Sequence, residues 1–290
     1  MTLGRAPGGA ATGRRVGSDR LAAYMQETLP LCAESCGMLA KMSPWQGRKY
    51  FLDKMTLGDL VVAFFTHHSI LVYLAIAAAS IAYALATAAS WHGPVFAGLA
   101  VLALYPFVEY ALHRWVLHNR LLYKSPVTAK VWKRIHYDHH QNPHDLSVLF
   151  GALYTTLPPI FLLTLPIGWA IGGAPAAAAA LATGTLVFAG YEFCHCVQHL
   201  PFTPGNAWLR EIKKHHLAHH FHSEQGNFGI TQGLWDRILG TGYDSPRAVP
   251  RSATTHNLGY DEAERRRYPW VGELSASDEE YAVLRTKRAT

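Results

Sequence analysis

Ten histidines in this chain fall into four short runs whose spacing suits metal binding. HRWVLH holds His113 and His118, HYDHH holds His136, His139 and His140, HCVQH holds His195 and His199, and HHLAHH holds His216, His219 and His220. On an α-helix, residues three and four apart share a face. His136, His139 and His140 stand at that spacing, His216, His219 and His220 repeat it, and His195 and His199 are four apart. His113 and His118 are five apart, about 140° off a shared face of a regular helix. That pair therefore straddles a helix end or serves two different metal ions. One ion takes roughly four to six ligands, so ten imidazoles suit two ions. Neutral imidazole binds iron, zinc, copper and nickel. Solitary interfacial histidines that bond lipid headgroups would not repeat at helical spacing.

Other groups gather near these runs. Glu109 lies four residues before His113, and Glu192 three before His195. A carboxylate that accepts the second ring N–H of a ligating histidine fixes its tautomer and raises its basicity. That role is expected for both, ahead of direct ligation. Asn227 and His215 are also expected beside the ligands, and His215 is placed closely enough to substitute for His216. Asp138, Asp145, Glu224, His144 and His222 are weaker candidates, while His67, His68, His92 and His256 have no histidine partners in the pattern. Cys194 and Cys196 flank His195. Two residues apart on a helix they point about 200° from each other, which disfavours a Cys/His zinc site. With Cys32 and Cys36 they are expected to be reduced thiols.

The elements that carry these runs are apolar. Of 290 residues, 50% are hydrophobic and 16% charged, where a soluble domain carries about 25% charged. Residues 61–108 and 146–191 contain no Asp, Glu, Lys or Arg. One membrane crossing needs roughly 20 apolar residues, so each stretch accommodates two crossings and a turn. Trp91-His92-Gly93-Pro94 and Gly172-Gly173-Ala174-Pro175 supply the turns. The pattern predicts an all-α integral-membrane bundle with spans near 69–91, 94–112, 148–171 and 175–196. A cytoplasmic helical cap would carry the histidines. The two turns carry none of the 26 Lys and Arg residues, which places both termini and the 113–147 loop in the cytoplasm. All four histidine runs then meet one face of the membrane. The net charge of +6 is a topology signal with some attraction to anionic lipid, and nucleic acid is excluded as a partner. Residues 1–60 read as a cytoplasmic, partly disordered segment without a cleaved signal, 61–245 as the membrane-embedded domain and 246–290 as a cytoplasmic tail.

Together the blocks HRWVLH, HYDHH, GYEFCHCVQH and HHLAHH followed by GNFGIT and GLWDRILGT resemble the fatty acid hydroxylase/sterol desaturase superfamily of integral-membrane diiron oxygenases. They are most similar to its fatty acid 2-hydroxylase branch. The resemblance covers about residues 95–245 and implies that the ten histidines named above ligate two iron ions, with zinc able to replace iron in purified protein. It also implies O2 as co-substrate and a membrane lipid or fatty acyl chain as substrate. Many eukaryotic members carry a cytochrome b5 domain. No His-Pro-Gly-Gly haem signature occurs here, so electrons are expected from a separate cytochrome b5- or ferredoxin-like protein.

The expected activity is O2-dependent hydroxylation of an acyl chain. An unactivated C–H bond does not yield to acid–base chemistry at neutral pH, so a metal centre must supply the oxidant while the protein orients the chain and excludes water. A centre at the membrane surface meets carbons near the lipid head. Two other readings stand beside this one: a sterol, carotenoid or amino-lipid hydroxylase or desaturase of the same superfamily, and a non-enzymatic metal transporter. Transporters place ionisable ligands at mid-membrane, whereas these ligands sit at one face. No nucleotide-cofactor fingerprint accompanies the glycines after Gly226, and Gly226–Thr231 is expected to close the site as a turn.

Overall fold

A computed structural model describes residues 51–275, and all regular structure among them is helical. Helix α1 (Leu57–Thr66) opens with a capping box in which the Thr56 hydroxyl accepts from Asp59 N and the Asp59 carboxylate accepts from Thr56 N. It is followed by α2 (His68–Thr87) and α3 (His92–Ala111). Helix α2 buries Ser69, Ile70, Tyr73, Ala77, Ser80 and Ala84, a single stripe at helical spacing. Leu71, Ile81 and Leu85 on its other faces are exposed. A helix with apolar residues facing both inward and outward suits lipid rather than water.

A six-residue π-helix, Leu112–Leu117, extends α3. Helix α4 (Pro126–Trp132) runs into a second π-helical turn, Lys133–Tyr137, and then α5 (Asp138–Gln141). Helix α6 (Leu153–Gln198) breaks in its middle, where Gly172 and Gly173 leave helical geometry and Gly173 takes φ 67°. That left-handed value comes readily only to glycine. Three stretches, His68–Thr87, His92–Lys124 and Leu146–Gln198, are long and apolar enough to cross a membrane. The third folds back at the glycine pair, where the sequence pattern placed a turn between two spans.

Small residues set how these helices pack. A Cβ on Gly168 would lie 2.5 Å from Ala177 Cα, and one on Gly184 would lie 2.5 Å from Thr164 Cγ2. The two arms of α6 are therefore antiparallel and nearly in backbone contact, as small residues permit. Ala97 and Val101 of α3 pack with Ala176 and Ala180 of the second arm, so α3 runs parallel to that arm. The Tyr73 hydroxyl meets Thr156 Oγ1 at 2.6 Å. The start of α2, the end of α3 and both ends of α6 consequently share one end of the bundle.

Past that end lie α7 (Ala207–Phe221), started by the Asn206 side chain, α8 (Leu234–Ile238) and α9 (Glu262–Arg267). The sequence gives residues 246–275 no role beyond a polar tail, yet they fold over the same end. Leu258, Tyr260 and Val271 are buried with Tyr123, Trp132 and Tyr137 in one cluster. Residues 1–50, with Cys32 and Cys36 and most of the expected N-terminal segment, and 276–290 lie outside the described residues.

Candidate metal centre

The structure sorts the ten histidines into two groups of five. His113, His118, His136, His140 and His219 form one, and His139, His195, His199, His216 and His220 form the other. Within each group one ring nitrogen per residue lies within 4.8 Å of all the others. Neither group includes a carboxylate or a thiol. The groups adjoin, because the rings of His140 and His220 are 4.3 Å apart between centroids. Nine of the ten side chains are buried, and His118 is half-buried.

Local backbone geometry explains the sorting. In the π-helix His118 N donates to His113 O, five residues back, at 3.1 Å. Wider π-helical turns bring residues five apart onto one face, which resolves the spacing that a regular helix left open: both rings join one group. The run HYDHH is split, with His136 and His140 going to the first group and His139 to the second. HHLAHH is split likewise, His219 from His216 and His220. In each run the two histidines four apart share a group, and the one between them, about 100° round the helix from its neighbour, reaches the other group.

Backbone carbonyls orient the first group. His113 Nδ1 donates to Phe228 O, His219 Nδ1 donates to Gly226 O at 2.7 Å, and His140 Nδ1 donates to Thr255 O at 2.7 Å. A carbonyl can only accept, so Nδ1 carries the proton and Nε2 presents its lone pair inward. His140 Nε2 and His219 Nε2 are buried without a hydrogen-bond partner. Burial pushes the His140 imidazole down to about 3. His136, His139, His216 and His219 are likewise held well below the ordinary histidine range, first by burial and then by neighbouring imidazoles. Neutral rings are the ligating form.

The donor set fits two transition-metal ions. Nε2 atoms approach at 3.2 Å between His113 and His118, 2.8 Å between His118 and His136, 3.0 Å between His139 and His195, and 2.9 Å between His199 and His216. Two nitrogens at right angles on one metal at ~2.1 Å lie ~3.0 Å apart. All-imidazole donors suit iron, zinc, copper or nickel rather than magnesium or calcium.

The loop 226–231 has its peptides polarised from both sides. Its carbonyls face His113 and His219, while its N–H groups face two carboxylates. Asp236 accepts from Phe228 N at 2.9 Å, Gly229 N at 2.7 Å and the Thr241 hydroxyl at 2.7 Å. Glu109 accepts from Ile230 N at 2.6 Å, Thr231 N at 2.9 Å, the Tyr105 hydroxyl at 2.7 Å and the Thr231 hydroxyl. Glu109 therefore braces the loop and bonds no histidine, a correction to its expected role. Glu192 also bonds no imidazole; one of its oxygens accepts from Gly151 N at 2.7 Å. Asn227, at φ 54°, clasps Tyr243 by both backbone atoms, accepting from its N at 2.9 Å and donating to its O at 3.0 Å. His215 is turned away from both groups and pairs with the exposed Asp244 at 3.1 Å. His222 bonds Val249 O at 2.9 Å, and the His144 ring stacks on Phe221. The sequence pattern missed Asp236 and Thr255. Asp236 could have been sought as the one acidic residue inside GLWDRILGT, whereas a carbonyl leaves no signal in side-chain types.

An apolar cavity of about 460 Å³ opens beneath the histidines, between α3, the α4 region and both arms of α6. His113 and His136 of the first group and His139, His195 and His216 of the second line its upper end. Its walls are mostly aliphatic and aromatic, including Leu104, Val108, Ile160 and Phe188.

The sequence profile of the fatty acid hydroxylase family matches residues 98–241. The ceramide very long chain fatty acid hydroxylase SCS7 of Saccharomyces cerevisiae is 30% identical over 152 residues, 49% of this chain and 37% of that protein. The fatty acid 2-hydroxylase of Mus musculus is 31% identical over 51% of this chain and 40% of its own length. The dihydroceramide fatty acyl 2-hydroxylase FAH1 of Arabidopsis thaliana is 34% identical over 48% and 56%. The match thus spans 37–56% of these relatives. A solved structure described as full-length scs7p, with only the hydroxylase domain visible, superposes with a TM-score of 0.52. It is 26% identical and covers 69% of this chain and 71% of that one.

Proposed function

We propose that this chain, which belongs to the fatty acid hydroxylase family and to its 2-hydroxylase branch, hydroxylates a membrane-borne fatty acyl chain close to its head group with O2. The observation that carries this reading is the joining of two five-imidazole groups to one apolar cavity. His113, His118, His136, His140 and His219 would hold one iron, and His139, His195, His199, His216 and His220 the other. Bound iron would supply O2 activation and the oxidising power for the C–H bond.

The chain's own residues do the rest. The carbonyls of Gly226, Phe228 and Thr255 keep three imidazoles in the ligating tautomer. The aliphatic cavity takes up the acyl chain and excludes water from the reacting carbon. Because the groups lie at the end of the cavity nearest the cytoplasmic membrane face, the carbon presented to them is one near the polar head. The reaction consumes one O2, two electrons and two protons and yields the alcohol and water. The electrons come from a separate one-electron carrier, cytochrome b5- or ferredoxin-like. The antiparallel arms of α6 together with α2 and α3 make four membrane passes, with both termini and the metal centre cytoplasmic, in keeping with the Lys and Arg distribution.

Wild type and His139→Ala are expressed with a reductase, and extracted lipids are analysed by mass and fragmentation. The expected outcome is one added oxygen on a head-proximal carbon in wild type and none in the variant. Iron-loaded wild type that oxygenates no lipid, or oxygenates only mid-chain or terminal carbons, contradicts the reading.

A further inference from the structure

The cavity beneath the histidines has a floor. Its deepest lining residues are Val101 of α3, Thr164 and Ile167 of the first arm and Gly184 of the second. Immediately below, the helices close on one another. Gly168 stands against Ala176 and Ala177, Gly98 against Thr183, and Ala97 is fully buried with Ala176 and Ala180. Contacts this tight leave no room for a chain to continue between the helices. Val101 belongs to both features, lining the cavity and packing into the seam.

The depth follows from helical rise. Gly184 lies eleven residues before His195 on one continuous helix, about 16 Å at the usual rise. The hydrocarbon core of a bilayer is roughly 30 Å thick, so one leaflet is about half that. The cavity is therefore as deep as a single leaflet. A chain bound with its head-proximal carbon at the histidines would have its methyl end at the floor.

We propose that the floor formed by Val101, Thr164, Ile167 and Gly184 sets the upper length of the acyl chain this protein hydroxylates. The proposal rests on the acyl-hydroxylase reading above and adds the residues that select among chains. A methyl end that meets the floor before the head-proximal carbon reaches the metals cannot react in register. Shorter chains lose only apolar contact, while longer ones must buckle. The limit is therefore sharp on the long side and gradual on the short side.

The test uses the full-length protein in cells fed a graded series of saturated fatty acids, with the hydroxylated fraction measured for each length. Val101→Phe raises the floor, and the long-to-short product ratio falls roughly tenfold or more, the discrimination that a misfit of methylene size produces in an apolar pocket. Val101→Ala lowers it and shifts the limit to longer chains; this change only removes methyl groups, so it tests the floor even if the larger side chain prevents folding. Leu85→Phe, on the exposed side of α2, leaves the length profile as in wild type. Product with an unchanged length profile in both Val101 variants overturns the floor and leaves the hydroxylase reading standing. No product from wild type at any length overturns both.

Discussion

Asp236→Asn tests how the first group is held. The Asp236 carboxylate takes the N–H groups of Phe228 and Gly229, one on each oxygen. The carbonyls of Phe228 and Gly226 in the same loop fix His113 and His219. An asparagine keeps the shape but has one acceptor oxygen. Whichever way its amide turns, one buried N–H loses its partner and faces an NH2 group. Leaving a buried donor unpaired costs ~1–3 kcal/mol. Loss of such an outer support lowers metal affinity by roughly tenfold to hundredfold, and the two figures agree at ~1.4 kcal/mol per decade. The second group does not use this loop: no hydrogen bond joins His139, His199 or His216 Nδ1 to it. Titration of purified protein with a competing chromophoric chelator should therefore show one ion weakened and the other as tight as in wild type. Equal weakening of both ions, or of neither, would refute the reasoning.

The metal-free protein should lose stability in acid. Burial and mutual repulsion lower His136, His139, His216 and His219 in the folded state, against an unfolded value of about 6.5. A lowered histidine pKa means that the unfolded chain binds more protons, so stability is intact above about pH 6.5 and is lost as pH falls below it. Thermal melts of metal-free protein at about pH 7.5 and about pH 5 should show a lower Tm at the acid value, and equal melts would contradict it. Inserting one alanine after Trp115 makes the spacing six, which should swing His118 by about 100° out of its group and remove one ion by metal analysis, whereas Trp115→Ala, on an exposed ring, should retain both. Truncation after Ser245 removes the Thr255 carbonyl from His140 and uncovers Tyr123 and Trp132. That protein should bind less metal and be cut by protease near 123–137, and a truncated chain with full metal content would refute the role assigned to this segment.

Much of the scaffold can be read directly from side-chain types. Charge-free stretches mark the apolar helices, and Gly172-Gly173 marks the reversal, because lipid-facing length and glycine backbone freedom are properties of single residues in order. The face-sharing histidines are legible for the same reason, through periodicity. What is hidden depends on backbone geometry. A regular helix puts His113 and His118 about 140° apart, and only the π-helical turn brings them together. The division of HYDHH and HHLAHH between two groups depends on where neighbouring helices stand. Spacing along the sequence puts Glu109 beside His113, yet its carboxylate reaches a loop more than a hundred residues later in the chain. Residues 246–275 look polar and unstructured in order of sequence, while Leu258, Tyr260 and Val271 find their partners only across a long separation.

Two adjacent iron ions are expected, each ringed by its own five imidazoles. Anomalous diffraction at the iron edge, from crystals of iron-loaded protein, tests this most directly. Two peaks are expected, one among His113, His118, His136, His140 and His219, the other among His139, His195, His199, His216 and His220. A single peak, or iron bound away from either set, would contradict it.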